Sequence, residues 1–316
     1  MGPAARHGGS KLAGLRLLAL ALAALLAGPA LAEKPGGALA RAEAAWGRRG
    51  EGQSGDGRAR RAPIARAIRA YEAAVAEDPD ALEPRWKLVR ALYFGADFAA
   101  ASRAEASHEL GRATREADAA LDLLAARLGV DGSLDSFDPE RLASRLDPAA
   151  RSDAAAVFFW SAVVWGAWGQ HLGAVDAVRS GVVGRLYHGA LLAAALDADF
   201  DEGGALRLLA RIHAQVPRVP FFSGFIDRSR AVPSAERALA IAPENPSNRY
   251  QLALTLLDVA PERHQDALRL LEDTAGLEPR PEQLVEDLAM RRAARERLAE
   301  ERGGEQRLAQ ESVTGG

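Results

Sequence analysis

Residues 63–79 read PIARAIRAYEAAVAEDP. Ala67, Tyr71 and Ala74 are spaced by four and then three residues, which puts them on one face of an α-helix. Pro79 follows five residues after Ala74 and closes the helix, because proline has no amide hydrogen and its ring crowds the preceding turn. A second helix is predicted from Glu83 to Phe94, carrying Trp86, Leu88, Val89, Leu92 and Tyr93. Small alanines on the first helix let this bulkier partner come close.

The same spacing returns near the C-terminus. Ala231, Ala235, Ala238 and Pro243 keep it in AVPSAERALAIAP, with alanine in place of the aromatic. Ala267, Leu271, Thr274 and Pro279 keep it in DALRLLEDTAGLEP, and NPSNRYQLALTLLD lies between as a partner helix. The pattern A-x3-Y-x2-A-x4-P followed by a bulky helix resembles a tetratricopeptide (TPR) unit, a helix pair of about 34 residues. Pro243 to Pro279 is close to one such period. The resemblance implies that Tyr71 fills the gap between stacked pairs.

The composition agrees with an all-helical chain. Hydrophobic residues make up 48% and charged residues 26% of 316 residues, with much alanine and leucine and few β-branched runs. No alternating strand pattern is present. The net charge of −3 gives no overall field for nucleic acid or an anionic membrane. Positive charge is nearly all arginine, with lysine only at Lys11, Lys34 and Lys87. The lack of cysteine excludes disulfides, thiolate metal sites, cysteine nucleophiles and a lipid-modified cysteine.

The N-terminus has the three parts of a secretory signal. Arg6, Lys11 and Arg16 are followed by the apolar run Leu17 to Ala27, a Gly28-Pro29 break and Ala30-Leu31-Ala32, with cleavage expected after Ala32. An uncleaved signal anchor is the alternative. The expected organisation is a signal peptide at 1–32, an all-helical domain at 33–300 and a polar, disordered tail at 301–316, with the mature chain in the periplasm.

Other helices are predicted at Ala38–Trp46, Ser102–Leu128, Val178–Leu196, Gly204–Gln215 and Met290–Arg307. A short helix is capped by Asp138, and another starts at Pro148. Gly47 to Arg61, GRRGEGQSGDGRARR, is expected to be a solvated loop, with anion binding by its basic residues as the alternative. Pro217 to Phe225 is a second loop, with three phenylalanines.

Val157 to Gly173, VFFWSAVVWGAWGQHLG, holds three of the five tryptophans. On a helix, Phe158, Ala162, Trp165, Gly169 and Leu172 share one face, and Trp160, Val164, Trp168 and His171 roughly the opposite one. An apolar surface all round means burial on both sides. A membrane span is disfavoured by Gln170, His171 and the glycines Gly166, Gly169 and Gly173 in the stretch. A buried helix and the wall of an apolar cavity remain, the second because tryptophan usually needs a partner for its indole N–H. The candidate lining is Phe158, Trp160, Trp165, Trp168, Phe221, Phe222 and Phe225.

Catalytic signatures are missing. No histidine stands three or four residues from another, and HExxH, GxSxG, Walker and GxGxxG sequences do not occur. The acidic run DADFDEGG, with Asp197, Asp199, Asp201 and Glu202, lacks the 12-residue calcium loop with its closing Glu. It is expected to serve a helix N-terminus. The chain is expected to be neither an enzyme nor a holder of metal or cofactor.

FFWSAVVWGAWGQHLGAVDAV, then RLYHGALLAAALDADFDEGGALRLLARIHAQVP, then SAERALAIAPENPSNRYQLALTLLD resemble the TPR-containing T component of TRAP transporters, the TatT family. Asp199, Phe200, Gly203 and Gly204 fit that family's D-x-F/Y-x-x-G-G element. The resemblance implies an all-α, TPR-like solenoid of helical hairpins closed into one compact domain. It further implies a periplasmic transport accessory that binds an apolar or lipid-like small molecule, pairs with the TRAP solute-binding protein and forms a homotrimer. This chain departs from the family's pattern in lacking the lipoprotein cysteine, and in reading VPFFSGF where that loop is usually glycine-rich. The alternative function is a TPR scaffold for protein–protein interaction in the cell envelope.

Overall fold

The computed structural model describes residues 37–130, 134, 137–170, 181–218 and 223–314. The segment 1–32, expected to be a secretory signal, lies outside them. The described residues form α-helices joined by turns and short 3₁₀ and π segments, with no strand among them. The helices are α1 (Gly37–Gly47), α2 (Arg61–Glu77), α3 (Leu82–Phe94), α4 (Arg103–Leu128), α5 (Pro139–Ala143) and α6 (Pro148–Gly169). They continue as α7 (Val182–Leu196), α8 (Gly204–Gln215), α9 (Ala231–Ile241), α10 (Pro246–Val259), α11 (His264–Gly276) and α12 (Leu284–Thr314). No described helix is long and apolar enough to cross a membrane.

Local sequence sets the helix starts. Asp138, Asp147 and Asn245 each accept a backbone N–H at an N-cap, and each precedes a proline in the first turn. There the proline's missing donor is harmless and its fixed φ suits the helix. Ser102 caps α4 by accepting from the Glu105 amide. The last helix begins at Leu284, six residues before the Met290 expected from sequence.

The repeated spacing marks buried faces. Ala67, Tyr71 and Ala74 are buried on α2, as are Ala231, Ala235 and Ala238 on α9 and Ala267, Leu271 and Thr274 on α11. From α2 onward the longer helices pack chiefly on their neighbours in sequence: α2 on α3, α3 on α4, α8 on α9, and so on to α11 on α12. Short α5 is passed over, so that α4 packs on α6.

The aromatic helix α6 lies against α3, α4 and α7. Residues 154–162 are buried all round, as the sequence implied, but Trp165 and Trp168 farther along are only half-buried. α7 approaches closely because it presents Gly189 to α6, where a Cβ would sit 3.1 Å from both the Phe158 carbonyl oxygen and the Ala162 Cβ.

The beginning and end of the described fold meet. The segment after α1 is a loop, as expected, but it docks on α12 where a freely solvated loop was expected. A Cβ on Gly57 would lie 2.4 Å from the Ala289 amide nitrogen, and Gly57 has φ +79°. Buried Arg49 donates to Glu286 at 2.8 Å, to the Glu282 carbonyl at 2.6 Å and to Gln283 at 2.9 Å. Its guanidinium stacks on Trp46, 4.3 Å from the ring centre.

Candidate functional site: a charged recess beside the aromatic helix

α3 runs into a π-helical turn, Gly95–Ala99. Such turns re-aim side chains and recur at functional sites. Here Tyr93 and Asp97, one turn apart, project together, and the Tyr93 hydroxyl donates to Asp97 Oδ2 at 3.3 Å. Trp160 of α6 packs behind Tyr93 with ring centres 5.9 Å apart. Its indole N–H is buried and has no hydrogen-bond partner.

A second wall comes from the acidic run. Asp201 and Glu202 have φ of 51° and 54°, and Gly203 follows at 83°, making one left-handed turn. Asp adopts this conformation more readily than most residues but Glu does so poorly, so neighbouring contacts hold the Glu202 position. Arg207 does so, donating to Asp201 Oδ2 at 2.6 Å and to the carbonyls of Asp201 and Glu202. Glu202 accepts from Arg280 at 2.8 Å and from the Asn245 amide at 2.6 Å. The turn lets Gly204 approach α6: a Cβ there would lie 2.7 Å from the Phe159 ring. Asp197 accepts from the amides of Asp199 and Phe200. These acids therefore pin the turn before α8 and tie it to α10 and the start of α12. No group of metal-ligating side chains occurs among the described residues.

Asp97 and Asp201 are solvent-exposed, yet surrounding protein desolvates both and pushes each carboxyl above its usual range. Burial raises the Tyr93 phenol in the same way. Arg211 of α8 acts electrostatically on both Tyr93 and Asp97, Arg58 and Arg292 act on Asp97, and Arg90 acts on Asp201. Arg211 donates through Nε to Gln215 at 3.2 Å, and its terminal nitrogens have no partner among the described residues. Tyr250 of α10 also feels Arg211. Beside it, Gln215, Tyr250, Asp258, Glu296, Arg297 and Glu300 line a cleft of about 250 Å³ between α8, α10 and α12. The recess thus presents tyrosines and charges of both signs, held by helices.

The aromatic residues singled out from sequence fall in separate places. Phe158 is core, and Trp160 backs the recess. Trp165 and Trp168 pack edge to face at 5.4 Å. The Trp165 N–H donates to Asp118 at 3.1 Å, and Arg185 lies 4.5 Å over its ring. Phe225 stacks on Tyr187 at 4.3 Å, where His213 accepts the Asp227 amide through Nδ1. Burial lowers the pKa of His213, favouring the neutral ring. Phe221, Phe222 and His171 lie outside the described residues.

Sequence reasoning missed Tyr93, Asp97, Arg211 and Tyr250 as site residues. The available signal was their spacing: Tyr93 and Asp97, and Arg211 and Gln215, are i,i+4 pairs on helices whose opposite faces are core.

No model of a known protein family matches the chain, and no curated protein matches it significantly.

Proposed function

We propose that the chain is a non-enzymatic, TPR-like helical-repeat protein that binds an extended segment of another polypeptide in the charged recess. One observation carries the reading. Tyr93 is hydrogen-bonded to Asp97, the charges of Arg211 and Asp201 from later in the chain act on Tyr93, and Arg211 also acts on Tyr250, while Phe158 and Phe159 are buried in the core. A peptide offers backbone donors and acceptors together with charges, which suits a surface of mixed sign better than an apolar ligand does. The serial packing of neighbouring helices and the buried 4-3 faces support a solenoid of helix pairs. The secretory segment supports an envelope location.

A second reading follows the TatT resemblance: a periplasmic TRAP accessory, trimeric, holding an apolar or lipid-like molecule near α6 and meeting the solute-binding protein. The half-buried Trp165–Trp168 pair and the unpartnered Trp160 N–H favour it. Native mass spectrometry of the mature protein, with a peptide-array screen, tests the choice. The peptide reading expects the bare chain mass and array peptides that bind wild type but not Arg211→Glu. A retained lipid-like adduct with no array binding would overturn it.

A further inference from the structure

We propose that the cleft between the docked glycine-rich loop and α12 is a binding site for a compact phosphate-type dianion. The cleft has a volume of about 300 Å³ and is lined by Gly55, Asp56, Leu288, Arg291, Arg292 and Arg295. The arginines lie within two turns of one helix, and the 291–295 and 292–295 pairs stand at the spacings where like charges repel. Against these three cations the lining holds one carboxylate. Asp56 Oδ1 accepts from the Ser54 hydroxyl and the Arg58 amide, and its charge also acts on Arg292, so it offsets one of the three cations.

The arginines keep free donors. Arg291 makes no hydrogen bond or ion pair among the described residues, although its Nε is enclosed by protein and only its terminal nitrogens could reach a ligand. Arg292 gives one terminal nitrogen to the Asp56 carbonyl at 2.8 Å, and its Nε lies 3.8 Å from Glu296. Arg295 gives one to the Ala275 carbonyl at 3.1 Å. Each guanidinium has five N–H groups, so most remain available, in the forked geometry that matches phosphate oxygens. The opposite wall is fixed as well, because Gly57 rests on the Ala289 backbone. A cleft of this size with a surplus of two positive charges suits one tetrahedral dianion. Arg292 of this cleft also acts on Asp97 of the recess, but the phosphate proposal does not depend on the peptide reading.

The test is isothermal titration of the mature chain with inorganic phosphate, at fixed ionic strength in chloride. Saturable binding is expected. It should weaken by about tenfold or more in Arg291→Gln/Arg295→Gln, which removes charge-assisted hydrogen bonds. It should tighten in Asp56→Asn, a variant that keeps the loop's acceptor oxygen and so guards against misfolding as the explanation. Flotation with phosphatidic acid vesicles, set against phosphatidylcholine vesicles, separates the sources. Arginine-dependent flotation identifies a lipid headgroup, and phosphate binding without flotation identifies a free phosphate. Absence of saturable phosphate binding, or equal affinity in the folded double variant, would overturn the site.

Discussion

Arg49 and Glu286 are 237 residues apart in sequence and 2.8 Å apart in space. Their contact fastens the segment after the first helix to the start of the last one. Burial raises the Glu286 carboxyl, and Arg49 is the cation that opposes this. Removing one partner of such a pair leaves an uncompensated charge, so Arg49→Ala should destabilise the fold by about 3 kcal/mol. Arg49→Met/Glu286→Leu, which removes both charges, should recover most of that loss. Urea denaturation of wild type and these two variants measures both effects.

The loop's docking can be tested at two glycines with similar backbone angles. Gly57 has φ +79° with Ala289 in the path of a Cβ, whereas Gly55 has φ +80° with nothing within 4 Å. Gly55→Ala carries only the left-handed backbone penalty, about 1 kcal/mol. Gly57→Ala adds a collision with helix backbone and should cost at least about 2 kcal/mol more. Thermal melts of the two variants should therefore separate clearly, and equal melts would mean that the loop does not rest on α12.

Two tryptophans of α6 should respond differently to loss of the indole nitrogen. Trp160 has an N–H with no partner, so Trp160→Phe removes an unsatisfied donor along with some packing and should change stability by less than about 1 kcal/mol. Trp165→Phe breaks the bond to Asp118 and weakens the Arg185 contact, and should cost about 1–2 kcal/mol. Chemical denaturation compares them. A large loss at Trp160 would point to a partner for its N–H.

Much of the architecture was legible from residues 63–79, because a 4-3 spacing of small and aromatic residues has one physical use: a helix face pressed on another helix. Ala67, Tyr71 and Ala74 lie on that face, and the spacing at Ala231 and Ala267 marks buried faces too. The Asx-Pro starts were equally local and equally readable. Docking of the 47–61 loop was not, because it depends on Arg49 meeting Glu286 far along the chain. The recess was missed for a similar reason. Arg211 and Tyr93 look like ordinary helix-surface residues until the fold brings the Arg211 charge to bear on Tyr93. The acidic run reads as a feature of a helix N-terminus, and it does lead into α8. Its pairing with Arg280 and Asn245 needed tertiary structure.

Acidity should report on the recess through Asp97. Burial raises its carboxyl above the ordinary value of 3.8, so the folded chain holds this proton more tightly than the unfolded chain. The resulting stabilisation is fully present below pH 3.8 and is lost as pH rises through the raised folded value. Asp97→Asn keeps an acceptor for Tyr93 but cannot ionise. Its stability relative to wild type should therefore improve as pH rises from about 4 towards neutrality. Denaturant midpoints measured across that range check the sign, and a flat difference would place Asp97 in open solvent.

Site-specific photocrosslinking in the native host asks what the recess holds. A benzophenone amino acid in place of Tyr250, beside Arg211, should capture a polypeptide, and Arg211→Glu should abolish that product. The same group in place of Trp165 should capture none. A lipid or other apolar adduct at Trp165, with no polypeptide captured at Tyr250, would contradict peptide binding in the recess and favour the apolar-ligand alternative.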